Sequence, residues 1–282
     1  MDYRINDIGF MQGRLSEVIN GKIQCFPWKH WKEEFSLASE LGILKMEWTL
    51  DQEDLYKNPI MTVSGRKDIR ELCKLYSIEI PSLTGDCFMQ APFWKAKGAN
   101  QINYKNDFKA ILNACNLTGI GIIVVPLVDN GSINLPAEED ILVNFLNDVT
   151  SYLKKNNMKI IFESDYSPLE FNRLIKRLDS SSFGVNYDIG NSASLGFNPI
   201  EEFSLFGDRI YNVHVKDRAL GGTTVPLGEG DADFNLVFNL LRLAKYSSNF
   251  VLQTARSDKG DHKGDLAKYK SMVVQWIEQN GS

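Results

Sequence analysis

Short, nearly unbroken apolar runs recur along the chain and alternate with segments of helical periodicity. Such runs predict strands that are buried on both faces, as in a parallel sheet. The fourth run reads IGIIVVPL and is the richest in β-branched residues. Eight candidate strands result: residues 8–11, 44–49, 78–83, 120–127, 159–163, 183–188, 210–215 and 250–254.

The segments between these runs carry the apolar stripe of amphipathic helices. Residues 67–76 and 266–277 follow this pattern, and Asp233 precedes another such stripe. The basic and aromatic run WKHWK, residues 28–32, is interpreted as a helix start. Between residues 137 and 155 the stripe consists of Ile141, Leu142, Phe145, Leu146, Val149 and Leu153.

Strand and helix signals that alternate in this way indicate an α/β fold. Eight such units within 282 residues favour a closed (β/α)₈ TIM barrel over an open, doubly wound sheet. The glycines after the first run, Gly9 and Gly13, lack the spacing of a dinucleotide-binding fingerprint. No linker or low-complexity segment divides the chain, so we predict a single TIM-barrel domain over residues 1–282.

Composition narrows the classes of partner. The net charge is −5 and no dense Lys/Arg stripe is present, which argues against nucleic acid as a partner. No apolar run approaches the roughly 20 residues that a membrane span needs, and the N-terminus has no signal region. The four scattered cysteines suggest free thiols in a reducing compartment. We therefore expect a cytoplasmic protein with no membrane partner.

Polar residues close the last four apolar runs. They are Glu163, Asp188, His214 and Gln253. Active sites of TIM barrels lie at the carboxyl ends of the strands, so these side chains should converge. Any one of them could instead cap a helix or pair with a lysine. Together, carboxylate, imidazole and amide groups suit one divalent ion: Mn²⁺, Co²⁺, Mg²⁺ or Zn²⁺.

Two consecutive segments carry a family resemblance. Residues 212–218, NVHVKDR, and residues 226–234, PLGEGDADF, resemble the seventh strand and following loop of the xylose-isomerase-like TIM-barrel superfamily. The likeness is to its sugar and sugar-phosphate isomerase and epimerase branch, and it covers nearly the whole chain. It implies that Glu163, Asp188 and His214 are metal ligands. Gln253 falls where most members of the family have a second glutamate.

The resemblance also implies a reaction. In epimerases of this branch, two glutamates on opposite faces of the sugar move a proton at the carbon next to the carbonyl, and the metal stabilises the enediolate. The amide of Gln253 can bind a metal, but it cannot accept that proton. Three alternatives follow. Glu163 acts as a single base in an isomerisation, Glu47 or Glu229 supplies a second base, or the barrel binds a sugar without turnover.

Further polar residues near the strand ends are candidates for contact with a small carbohydrate. Gln12 and Arg14 follow the first strand, and Glu47 lies at the end of the second. A salt bridge inside the barrel is the alternative for Glu47. Asn191 takes the place of a histidine that touches substrate in family epimerases. Phe88, Phe93 and Trp94 either form an apolar lid or merely cover the barrel rim.

Three basic residues follow the last two strands: Lys216, Arg218 and Arg256. Loops there often hold phosphate in TIM barrels, so the cluster suggests an anionic substrate such as a sugar phosphate or sugar acid. The alternative is pairing with the neighbouring Asp217 and Asp258.

A metal-dependent dehydratase of keto-polyols is the main rival function, because it uses the same ligand set. An apurinic endonuclease needs a histidine-rich site with several zinc ions, and this chain has only three histidines. Members of the family often form dimers or tetramers, so a homo-oligomer is expected by analogy.

Overall fold

A computed structural model describes residues 5–19 and 21–280. Eight parallel strands form a closed barrel in the order β1-β10-β7-β6-β5-β4-β3-β2, which confirms the predicted fold class. The remaining two strands, β8 and β9, pair as a short antiparallel hairpin. The bounds are β1 Ile8–Met11, β2 Lys45–Thr49, β3 Glu79–Thr84, β4 Ile122–Leu127, β5 Lys159–Ser164, β6 Phe183–Asp188, β7 Ile210–Val215, β8 Asp217–Arg218, β9 Thr224–Val225 and β10 Asn249–Leu252.

Helices connect the strands at the positions that the apolar stripes predict. Asp233 caps one of them, because its carboxylate accepts a hydrogen bond of 2.9 Å from the Leu236 amide. The WKHWK run forms turns, and a helix begins directly after it at Glu33. The helices are α1 Glu33–Glu40, α2 Val63–Tyr76, α3 Asp86–Gln90, α4 Gly98–Thr118, α5 Pro136–Lys155, α6 Pro168–Ile175, α7 Ile189–Leu195, α8 Pro199–Phe206, α9 Phe234–Leu243 and α10 His262–Asn280.

None of the helices in the described ranges combines the length and apolarity that a bilayer crossing requires. The four cysteines form no disulfide.

The chain divides into two compact units, so the single domain over 1–282 stays a prediction. The first unit takes its described residues from 1–47, 76–79 and 185–282. Within it, parallel pairing places Val251 beside both Gly9 and His214, and Asp188 beside His214. The second unit consists of residues 48–75 and 80–184, where Pro126 of β4 lies beside Glu163 of β5.

The aromatic residues after β3 belong to the core of the second unit. Phe88 packs on Phe108 with ring centroids 4.3 Å apart, and Phe93 packs on Phe145 at 4.5 Å. The Trp94 indole donates a hydrogen bond of 3.1 Å to the Gly131 carbonyl. All three residues of the predicted lid are buried. The lid interpretation is therefore wrong.

Candidate metal centre

Asp188 and His214 are neighbours at the ends of adjacent strands. The register of β6 and β7 pairs the two residues, and both side chains are buried. The His214 Nδ1 atom lies 3.9 Å from Asp188 Oδ2. Two ligand atoms bound to one ion at about 2.1 Å are at most about 4.2 Å apart. This pair is therefore spaced to share a cation.

The hydrogen bonds around His214 determine which ring nitrogen carries the proton. The Asn186 amide nitrogen lies 3.0 Å from Nδ1 and can only donate, so Nδ1 is the acceptor. Nε2 then carries the hydrogen and donates to Glu47 Oε1 at 2.7 Å. A carboxylate behind a histidine in this way orients many metal-binding histidines and makes the ring a better ligand. The Nδ1 lone pair accepts the Asn186 hydrogen bond in this structure, so an ion bound at Nδ1 would take the place of that bond.

Glu47 has a second partner inside the barrel. Its Oε2 accepts a hydrogen bond of 3.0 Å from Asn212, whose amide also donates to Asn186 at 2.9 Å. Glu47 is 1% exposed. In this structure Glu47 bonds to the neutral imidazole of His214 inside the barrel, and its predicted contact with substrate stays a prediction.

Glu163, at the end of β5, completes a three-residue group with Asp188 and His214. Each of these residues offers one ligand atom, and the atoms all lie within 4.8 Å of one another. All three residues are buried. The convergence predicted from the strand ends is found for these three residues.

The group fits a divalent cation by charge as well as by spacing. Two carboxylates and a neutral imidazole carry a formal charge of about −2, which matches one divalent ion, and oxygen with nitrogen donors suits Mn²⁺ or Zn²⁺. Within the 4.8 Å spread, the Asp188–His214 pair at 3.9 Å meets the limit for two ligands of one ion. The Lys216 ammonium, 3.1 Å from Asp188 Oδ2, offsets part of that charge.

Gln253 lies just beyond β10, which ends at Leu252 rather than at the predicted Thr254. Its backbone amide still donates to the Val215 carbonyl at 3.1 Å and continues the ladder. The side-chain oxygen is buried and accepts no hydrogen bond from the described residues. A buried acceptor of this kind is costly unless it meets a donor or a cation.

The basic cluster after the last strands contacts acceptors of the protein. Lys216 and Arg218 both donate to the Asn191 side-chain oxygen, at 3.0 and 2.8 Å. Arg218 also donates to the Gly222 carbonyl at 2.7 Å. The Asn191 backbone amide donates to Asp188 Oδ1 at 2.8 Å, so this cluster adjoins the metal group.

The loop after β1 is fixed by two charged residues. Glu34, buried on α1, accepts hydrogen bonds from the amides of Gly13 and Leu15, at 2.8 and 3.0 Å. Arg256 donates to the carbonyls of Gly13 and Ser16. Burial raises the pKa of Glu34 to about 7 despite these donors and the nearby Arg256. Arg256 therefore serves as a loop anchor in this structure, and its predicted role in substrate binding stays a prediction.

The other two candidates on this loop are buried. Gln12 is fully buried, and its backbone amide donates to the Glu47 carbonyl at 2.9 Å. Arg14 is 4% exposed and donates to the Ile23 carbonyl at 2.9 Å. Both side chains thus lie within the protein, and their predicted contact with substrate stays a prediction.

Another buried carboxylate is bonded to Tyr187, the residue before Asp188. Glu202 on α8 accepts hydrogen bonds from the hydroxyls of Ser192 and Tyr187, at 2.5 and 2.8 Å. Burial raises the pKa of Glu202 to about 7, although both hydroxyl donors lower it. The folded protein therefore holds a proton here at a pH where the unfolded chain has released it.

The raised pKa of Glu202 predicts that the stability of the protein depends on pH. Its contribution is fully present below about pH 4.5 and is lost as the pH rises through 7, with an upper size of roughly 3 kcal/mol. Urea unfolding between pH 5 and 7.5 measures it. Glu202→Gln keeps an oxygen for both hydroxyls and removes the titration, so its free energy of unfolding should fall less over this range. An unchanged pH dependence in the variant would contradict this.

Three contributors to the site were missed from the sequence. Asn186 and Asn212 orient the histidine, and each lies two positions before a predicted ligand in the same strand. Since alternate residues of a strand share a face, that spacing was a readable signal. Gln24 accepts a hydrogen bond from Gln253, 229 residues away. No local sequence pattern predicts this contact.

The chain belongs to the xylose isomerase-like TIM barrel family, whose model matches residues 35–273. A Haemophilus influenzae protein named "Putative L-ribulose-5-phosphate 3-epimerase SgbU" is 25% identical, over 89% of this chain and 93% of its own length. The inosose dehydratase of Clostridium tetani is 27% identical over 57% of this chain and 61% of its own. A crystal structure of the IolI protein with bound zinc has a TM-score of 0.76 at 16% identity, covering 97% of this chain and 99% of that one.

Proposed function

We propose that the protein is a metal-dependent sugar isomerase in which Glu163 removes a proton from the carbon next to a carbonyl. The observation that carries this proposal is the buried group of Glu163, Asp188 and His214, whose ligand atoms lie within 4.8 Å of one another. Membership in the family and relatives named as a sugar-phosphate epimerase and a dehydratase support sugar chemistry.

Each residue of the group has a separate task. Asp188 and His214 would hold the ion together with Glu163, and Glu47 keeps the histidine in the tautomer whose Nδ1 carries a lone pair instead of a proton. A bound divalent ion would polarise the substrate carbonyl and stabilise negative charge on its oxygen. Glu163 would take the proton from carbon and return it to the neighbouring carbonyl carbon on the same face, while the hydroxyl proton of the first carbon passes to the former carbonyl oxygen.

The available bases favour this single-base course over epimerisation with two bases. Gln253 cannot accept a proton. Glu47 is buried and bonded to His214 and Asn212, and Glu229 is exposed to solvent. Neither carboxylate is suited to stand opposite Glu163 across a bound sugar.

The substrate is proposed to be an uncharged sugar. Arg218 and Arg256 donate to backbone carbonyls, and Lys216 is paired with Asp188. A phosphate at these residues would have to displace bonds that the protein already makes. The three basic residues predicted to bind an anion are therefore assigned to holding the loops and Asn191.

Proton NMR in D₂O with a panel of ketoses, each also as its phosphate, tests the proposal. With Mn²⁺ present, an uncharged ketose should give the aldose with solvent deuterium at the carbon that received the proton. Phosphorylation should lower kcat/KM. An epimer of the ketose as the product would overturn the single-base course. A higher kcat/KM for the phosphate than for the free ketose would overturn the proposal that the substrate is uncharged.

A keto-polyol dehydratase is the second candidate, supported by the likeness to an inosose dehydratase. Adding an inosose to the panel separates it, because loss of water from the inosose would replace deuterium exchange in a retained carbon skeleton. A protein that binds metal but processes no member of the panel would favour the non-catalytic alternative.

A further inference from the structure

The side-chain amide of Gln253 is only half satisfied. Its Nε2 donates a hydrogen bond of 2.9 Å to Gln24 Oε1, while its Oε1 is buried and accepts none from the described residues. The residue is 9% exposed, so bulk water does not solvate it fully. An unfilled buried acceptor destabilises the folded protein, and a cation or donor at that position would remove this cost.

Arg14 determines the orientation of the Gln253 amide through its contact with Gln24. The two ends of a glutamine amide have nearly the same shape, so their assignment depends on the partners. Arg14 can only donate, and its Nη2 lies 3.3 Å from Gln24 Oε1. Gln24 must therefore present oxygen at this point, and Gln253 must meet that oxygen with its nitrogen.

Gln253 lies on the strand face that carries the histidine. Val251 pairs with His214, and the backbone bond from Gln253 to Val215 continues the ladder. Side chains two positions apart in a strand point to the same face. Gln253 thus follows Val251 on the His214 face, one step nearer the carboxyl end of the barrel.

We infer that Gln24 is a positioning residue of the metal centre. Backed by Arg14, it turns the Gln253 amide so that the carbonyl oxygen serves as a neutral fourth ligand beside Glu163, Asp188 and His214. The inference rests on the proposed function, because it requires an ion in that group. It explains how an amide replaces the family's carboxylate, and it leaves the ligand set at about −2 instead of −3.

Manganese titration of the metal-free protein tests this inference without an activity readout. Free Mn²⁺ is followed by electron paramagnetic resonance, and each variant's melting temperature is recorded. Gln24→Leu removes the acceptor and should weaken Mn²⁺ binding about 10–100-fold, the usual effect of losing a group that orients a ligand. Gln24→Glu keeps an acceptor for both Arg14 and Gln253 and should bind within about threefold of the wild type.

The outcomes separate this inference from the proposed function. No Mn²⁺ binding by the wild type would overturn both. Wild-type binding that Gln24→Leu leaves unchanged, or that Gln24→Glu weakens as much as Gln24→Leu, would overturn the positioning role alone. If Gln24→Leu does not fold, Gln24→Ala makes the same comparison with a smaller side chain.

Discussion

Glu163→Gln should reduce the rate of deuterium exchange into the sugar about 1,000-fold, within the usual range for loss of a general base. The amide retains an oxygen that can face the ion but cannot take up a proton at neutral pH. Exchange is measured by NMR in D₂O, and bound Mn²⁺ is measured on the same samples. Because Glu163 is also a direct ligand, its amide variant should bind Mn²⁺ more weakly as well, so the exchange rates of the variant and the wild type are compared at saturating Mn²⁺.

Glu229→Gln is the matched control, since it makes the same chemical change at an exposed glutamate. Its exchange rate should stay within about twofold of the wild type, as for most surface substitutions. If Glu163→Gln keeps more than a tenth of the wild-type exchange rate, Glu163 is not the base. A large loss in Glu229→Gln would instead identify a second base.

Asp188→Asn should weaken Mn²⁺ binding more than 100-fold, beyond the usual effect of losing an outer-shell partner, because a direct ligand loses its charge. The asparagine keeps an oxygen that can accept the 2.8 Å hydrogen bond from the Asn191 amide, so α7 keeps its cap. The fold should therefore persist. Titration with Mn²⁺ and thermal melting measure the two effects separately.

The control for charge loss at a helix cap is Asp233→Asn. Asp233 caps α9 in the same way, and asparagine is an equally good cap. This variant should bind Mn²⁺ like the wild type. Equal affinity in Asp188→Asn and the wild type would mean that the ion, if one binds, is held elsewhere.

The barrel and the three-residue group could be predicted because both depend on local sequence patterns. Glu163, Asp188 and His214 each interrupt or close an apolar run, and the parallel arrangement of strands brings such interruptions to one end of a barrel. The alternation within β6 and β7 would also have pointed to Asn186 and Asn212. Local pattern and fold thus agree at these positions.

The contacts of the loops could not be predicted, because they depend on which backbone atoms come within reach. Arg218 and Arg256 suggested an anion site, yet they meet the carbonyls of Gly222, Gly13 and Ser16. Phe88 and Phe93 suggested a lid, yet they pack among other aromatic rings. Charge and hydrophobicity give the chemistry of such a side chain but not its partner.

A crystal structure of the protein grown with Mn²⁺ tests the central claim most directly. Anomalous scattering at the manganese edge should give one strong peak within about 2.0–2.3 Å of ligand atoms from Glu163, Asp188 and His214. A fully occupied peak at any other position, or no peak at saturating Mn²⁺, would contradict the assignment of these three side chains to one ion.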